Sequence, residues 1–371
     1  MLKKILLLEE TQLILLKKGD IMKVLMVGVS SKRVGGMDAV AQIYKKDQKY
    51  NSNVKLKYVS TSTNGSIIKR SLCMFMGYIK IFFELIFFKP DIVHIHMAEK
   101  GSTYRKGFVA KLSKKFNNKV IIHLHAGPFM AWFNKVKEKD KIKIKKIFSY
   151  ADKILVLGNY WKDEMSKIVA KDKMQVLYNG VECPKNNNYK ENSKNIVYFG
   201  VMRKEKGIYD LLNAIKLIND DLDKNVRVLL YGNDLEGNIK ETIDSLELND
   251  RVKMMGWISN QNVKKELEKA MIDILPSYYE GLSMTIIEGM ASGVPIITTN
   301  ISTMPEILGD YKYMIDAGDV EKLSKYILEL VKKPQKRMEI SKYEYERVIK
   351  IFSKDKFIEN TLMIYYKLFN K

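Results

Sequence analysis

The 371-residue chain is long enough for two cores of roughly 150–200 residues each, and a 46% hydrophobic content excludes a disordered protein. A formal net charge of +21 asks for an anionic partner (nucleic acid, anionic lipid or a phosphorylated substrate), although lysine is used heavily throughout. Cys73 and Cys183 stand too far apart for a disulfide framework or a metal-ligand spacing, which fits a reducing compartment.

Residues 1–21 have the outline of a signal peptide, but Glu9 and Glu10 interrupt the apolar run and no small-residue cleavage site follows. They are expected to be an extension outside the fold, which begins at Met22. Residues 24–29 read as a buried first strand, and Gly35-Gly36 leads into a helix over 37–44. A glycine pair there suits close approach to a phosphate or sugar, and equally a plain tight turn. It is not G-x-G-x-x-G, which removes support from a nicotinamide enzyme. A second strand covers 54–60. Residues 71–88 are apolar apart from Lys80 and Glu84, and are expected to form a buried crossover helix rather than a membrane span.

Strands at 91–96 and 120–125 end in His94-x-His96 and His123-x-His125, which places all four histidines at strand C-termini. Ligands of open α/β sheets bind there. No acidic or cysteine ligand accompanies either pair, so the expectation is no metal, with one histidine of each pair facing the core and His96 at the cleft edge. Residues 100–150 are the most basic stretch, with only Glu138 and Asp140 acidic. Solvated helix faces would account for this charge. The functional reading is a patch for anionic lipid headgroups, with Phe108, Trp132 and Phe133 as interfacial anchors. No nucleic-acid reader motif or stacking platform is present, so nucleic acid is not an expected partner.

A fifth strand covers 151–157. Asn179-Gly180-Val181-Glu182 is a turn signal, and the polar stretch 184–194 is the best linker. The second half starts with a strand at 195–199. The loop 200–207 (GVMRKEKG) then sets Arg203 and Lys206 at the start of a helix over 208–218, where cations and helix dipole converge on a spot suited to a diphosphate. Further strands cover 226–232 and 252–256, helices 261–270 and 320–334, and a last helix 354–369.

Residues 274–308 are the richest stretch: a strand ended by Pro276-Ser277, a loop holding Glu280 and Gly281, and a helix beginning with a Thr285-x-x-Glu288 capping-box pattern. That helix stops at Gly293, before a strand over 294–298. A parallel strand, a glycine loop and a helix N-terminus make an anion site. The pattern PSxxEGxxxxxxEGMAxGxPxI, with its E-x7-E pair, closely resembles the signature of the retaining, nucleotide-sugar-dependent glycosyltransferases of family 4.

That resemblance spans nearly the whole chain from Met22. It implies two facing Rossmann-like α/β domains of the glycosyltransferase B type, over 22–185 and 186–350, with a C-terminal helix (351–371) returning to the first domain. It also implies that Glu280 hydrogen-bonds the donor sugar. The amides of Gly281, Leu282 and Ser283 would approach sugar and diphosphate, and Glu288 would bind the ribose hydroxyls. Lys206, with Arg203, would neutralise the diphosphate. His125, in a His-Ala-Gly element, would touch the donor sugar from the first domain, together with the Gly35-Gly36 loop and across the cleft from Glu280. The acceptor would attack on the face the leaving group departs from, retaining the anomeric configuration without metal or cofactor.

Departures from the pattern are Val201 at an arginine position, Gly289 for a common alanine, and Ser302-Thr303 for Gly-Gly. The helix is expected to be slightly weakened by Gly289. The implied partners are a nucleoside diphosphate sugar, a lipid-linked saccharide acceptor and an anionic membrane surface. The expected setting is bacterial surface-polysaccharide assembly, in the cytoplasm, peripheral at the inner face of the membrane. Competing readings are a nucleotide-sugar 2-epimerase or a sugar phosphorylase of similar fold, and a non-catalytic anionic-surface binder.

Overall fold

The computed structural model describes residues 21–30, 36–125 and 127–370. Gly35, Ala126 and all but the last residue of the expected N-terminal extension lie outside the described residues. The chain divides into two compact units. One holds the residues up to Val156, Lys162–Leu177 and everything from Phe357 on; the other holds Leu157–Trp161 and Tyr178–Lys356.

In the first unit, six parallel strands lie in the order β2-β1-β3-β4-β5-β6. They are β1 (Met22–Gly28), β2 (Val54–Ser60), β3 (Ile92–Met97), β4 (Lys119–Leu124), β5 (Lys153–Val156) and β6 (Met174–Val176). β1, β3, β4 and β5 are buried along almost their whole length, because helices cover both faces of a parallel sheet. That is why each reads as an unbroken apolar run rather than an alternation. The core gathers Met22, Val24 and Met26 of β1, Tyr44 of helix α1 (Gly36–Lys46), and Tyr50. Phe357, Ile358, Leu362 and Tyr365 of the C-terminal helix complete it. Each such side chain contributes about 1.5–3 kcal/mol on leaving water.

Helix α2 (Ile67–Phe83), prolonged by a π-helical turn Glu84–Phe88, overturns the expectation of a buried crossover. Only Gly77, Ile81, Leu85 and Phe88 are buried, while Leu72, Phe75, Met76 and Phe87 face outward. Helix α3 (Gly101–Lys115) carries Phe108, half exposed as expected of an anchor. Phe133, in contrast, is buried beside Phe129 and Met130 and is no interfacial residue. Trp132, on the next face of that turn, is only part-buried.

In the second unit, six parallel strands run in the order β12-β11-β10-β7-β8-β9. They are β7 (Asn195–Phe199), β8 (Arg227–Tyr231), β9 (Val252–Gly256), β10 (Ala270–Leu275), β11 (Ile296–Thr299) and β12 (Met314–Ile315). β10 sits between β7 and β11, so its C-terminal end opens at the middle of the sheet. The order reverses there. The chain runs outward from β7 to β8 and β9, then returns to β10 on the other side, and ligands of open α/β sheets bind at such a switch point.

Candidate functional site

The β10 C-terminus leads into a loop, residues 276–283, followed by helix α5 (Met284–Ala291), after helix α4 (Ile208–Ile218) of the preceding half-sheet. Ser283 is the N-cap of α5, in extended conformation, and makes no side-chain cap bond to the helix. The expected Thr285–Glu288 capping box does not form: Thr285 lies inside the first turn, its hydroxyl 3.1 Å from Ser283 Oγ. Gly293 does close the helix, at φ 72° with its N–H on Met290 O, as a left-handed C′ residue.

The loop is held from several sides. Thr303 Oγ1 and Trp161 Nε1 both donate to the Gly281 carbonyl, at 2.8 and 2.7 Å. Thr299 Oγ1 donates to Ser277 O at 2.6 Å, and Tyr278 N to Glu205 O at 2.9 Å. The last bond ties this loop to the 200–207 loop. Gly207 brings the two together: at φ 69° it lies so close to Pro276 that a Cβ would meet the Pro276 carbonyl oxygen at 2.0 Å.

Across this junction Lys206 Nζ lies 2.5 Å from Glu280 Oε1. Ser277 Oγ donates to the same oxygen at 2.8 Å. Glu280 is buried and Lys206 mostly so, and the pair sits in the loops that follow β10 and β7 at the switch point. Leu282 and Ser283 are buried in the loop. Arg203 is not drawn in: it is exposed, its Nε 3.7 Å from Glu205 Oε2. Val201 also faces outward. Glu288 lies one turn into α5, and burial pushes its carboxyl up to about 7.

Beside Glu288, sequence reasoning missed a buried carboxyl. Asp273 on β10 is 1% exposed, Oδ2 has no hydrogen-bond partner among the described residues, and burial, then Glu288, hold its pKa well above the usual carboxylate range. A Cβ on Gly289 would meet Asp273 Oδ2 at 2.7 Å. Gly289 therefore makes room for a carboxylate rather than merely loosening a helix. Glu306 is the other omission. It accepts from Asn159 N, Tyr160 N and Tyr178 Oη at 2.7, 2.6 and 2.7 Å, fastening the Leu157–Trp161 segment to the second unit. A lone glutamate after a proline gave no signal of that role.

In the first unit, His125 follows β4, half-buried, with Nε2 2.8 Å from His96 Nδ1. Gly36 opens α1. His96 is 1% exposed, so it is a core residue and not at a cleft edge. In register, His96 pairs with His123 across the sheet. His94 bonds Tyr365 Oη at 2.6 Å and His123 Nδ1 at 3.3 Å. Desolvation takes His94 and His125 down to about 3, so both rings are neutral. His94, His96 and His123 bring one nitrogen each within 4.8 Å of one another. The rings of His94 and His96 stack at 4.7 Å and 11°, however, and both nitrogens of His94 are engaged.

Two Rossmann-like parallel sheets, each with its loops at strand C-termini, are the components of a glycosyltransferase fold of the B type. The family described as Glycosyl transferases group 1 matches residues 182–347, and Glycosyltransferase Family 4 matches residues 46–184. The chain is a glycosyltransferase, and its resemblance to the family-4 enzymes runs through both halves. An uncharacterised 41.2 kDa protein of the cps region of Klebsiella pneumoniae is 27% identical over 67% of this chain and 70% of its own. The fold matches sucrose-phosphate synthase of Thermosynechococcus elongatus with a TM-score of 0.76 at 17% identity, over 94% of this chain and 99% of that one. It matches Anabaena HepE, solved with UDP and glucose, with a TM-score of 0.71 at 14% identity, over 93% and 100%.

Proposed function

We propose that the chain transfers a sugar, with retention of configuration and without a metal, from a nucleoside diphosphate sugar to a lipid-linked saccharide acceptor in bacterial surface-polysaccharide synthesis, working in the cytoplasm at the inner membrane face. The observation that carries this reading is the buried Lys206–Glu280 pair beside the α5 N-terminus. The Anabaena fold relative, solved with UDP and glucose, supports the donor class, and the Klebsiella cps-region relative points toward surface polysaccharide.

A donor diphosphate at Lys206 competes with Glu280 for the ammonium, and Glu280 Oε2 then accepts from a sugar hydroxyl. The negative charge that grows on the leaving diphosphate is met by Lys206 and by the first N–H groups of α5. Glu288 accepts from the ribose hydroxyls. The acceptor attacks on the face the diphosphate leaves, and a phosphate oxygen takes its proton, so no protein nucleophile is needed. Arg203 reaches the diphosphate only by leaving Glu205, a small change for an exposed pair. The donor-sugar contact is carried to His125 on its His-Ala-Gly element; its ring is neutral and hydrogen-bonded to His96.

Glu280→Ala tests the reading in a transfer assay with UDP- and GDP-sugars. The expected loss is roughly 100-fold or more, the scale of removing a transition-state hydrogen bond from a desolvated site. Unchanged transfer would contradict the assignment.

A further inference from the structure

The outward face of α2 is a run of exposed apolar side chains. Ile68 is 80% exposed, Phe75 61% and Phe87 76%, in a helical stretch (Ile67–Phe88) long and apolar enough to cross a membrane. It is nevertheless tied to the sheet along its other face. Gly77 lies so close to β2 that a Cβ would meet the Ser60 carbonyl at 2.6 Å, and Ile81 and Leu85 are buried. A helix fixed lengthwise on a sheet cannot span a bilayer, but it can lie in the interface with its free side among acyl chains. Contiguous exposed apolar surface of this kind marks an interaction site. Phe108 of α3 extends it, its ring 5.0 Å from Tyr78, and exposed Lys111 and Lys115 follow on the same helix.

Where α2 leaves β2 there is a cavity of about 580 Å³. Lys45, Lys69 and Lys80 line it together with Leu72, Cys73 and Met76, and among the described residues no carboxylate does. Lys45 Nζ sits 3.6 Å over the Tyr58 ring, whose hydroxyl is fixed on Val29 O at 2.6 Å. Cations and apolar side chains thus share one cavity, which opens at the foot of an apolar helix face. A soluble phosphate would not need the apolar half, and a neutral lipid would not need the lysines.

We propose that this cavity takes the phosphate of a long-chain isoprenoid or acyl lipid phosphate while α2 lies in the bilayer that holds the lipid. The proposal rests on the lipid-linked acceptor reading above and assigns that acceptor's lipid phosphate to Lys45, Lys69 and Lys80. α2 positions the chain and the lysines select its head.

The test is flotation with phosphatidylcholine vesicles carrying undecaprenyl phosphate, against vesicles of equal surface charge made with phosphatidylglycerol. Wild type should favour the undecaprenyl phosphate vesicles by roughly tenfold, and Lys69→Ala/Lys80→Ala should reduce that to parity. Leu72→Asp/Phe75→Asp, at exposed positions, should lose both kinds of vesicle. Thermal stabilisation by UDP or GDP, read in the same samples, should be unchanged in either variant and certifies that they are folded. Equal binding of wild type to both vesicles, or vesicle binding that survives Leu72→Asp/Phe75→Asp, overturns the proposal. If wild type prefers undecaprenyl phosphate yet is stabilised by neither UDP nor GDP, the lipid site stands and the nucleotide-sugar donor reading falls.

Discussion

Glu288 and the strand histidines titrate in opposite senses, and each belongs to a different unit. A carboxyl raised to about 7 by burial is stabilising in its protonated form. That contribution is complete below the unfolded value near 4.5 and is lost as pH rises through 7. His94 and His125, depressed to about 3, contribute stability above 6.5 that is lost as pH falls toward 3. Hydrogen exchange followed separately in the two units should therefore show the second losing roughly 1–3 kcal/mol between mildly acidic and mildly alkaline pH. The first should lose protection only on acidification. Glu288→Gln should reduce the alkaline loss, the remainder belonging to Asp273, whose carboxyl burial also raises; an unchanged slope would mean that Glu288 does not contribute. The sequence placed Glu288 and His125 correctly along the chain but could not show these shifts, because burial is set by packing from distant segments.

At the scale of elements, Gly289 and Asp273 form a pair that helix propensity alone misjudges. Propensity predicts that Gly289→Ala gains up to about 1 kcal/mol. A new Cβ at 2.7 Å from a fully buried, short carboxylate predicts a loss of about 1–3 kcal/mol instead. Asp273→Ala in the same background should recover most of that loss, since it removes the clash and an unpartnered acid together. Urea unfolding of the two single variants and the double variant decides it, and additive effects would refute the pairing.

The buried strands were legible because a parallel sheet covered on both faces leaves no polar alternation. The stretch from β10 through α5 was legible because its glycines, prolines and two glutamates, Glu280 in the loop and Glu288 in the helix, sit at fixed spacing. α2 was misread for a related reason. Apolar composition records withdrawal from water, and reads the same whether the cover is a protein core or a lipid layer. Phe133 was misread as an anchor because Phe129 and Phe133, four residues apart, share the inward face, which the basic composition around them hides.

Across the whole molecule, the charge of +21 now has two local meanings. In the second unit Lys206 waits beside Glu280 at a sheet switch point; in the first, three lysines line a cavity under an exposed apolar helix. Both are proposed to meet phosphates, one on a nucleotide and one on a lipid. Apart from the short Leu157–Trp161 excursion, the chain passes between the units at Leu177–Tyr178 and Lys356–Phe357. The second passage lets the last helix complete the first unit's core, so truncation there would expose Tyr44, Tyr50 and β1 together.

The central claim is that the second unit binds a nucleoside diphosphate through Lys206 and Glu288. Calorimetric titration with UDP and GDP tests it most directly. The account predicts that wild type binds at least one of them, and that Lys206→Ala and Glu288→Ala each weaken binding by roughly tenfold or more, as expected for loss of one charge-assisted contact. Wild type that binds neither nucleotide, or variants that bind as well as wild type, would contradict it.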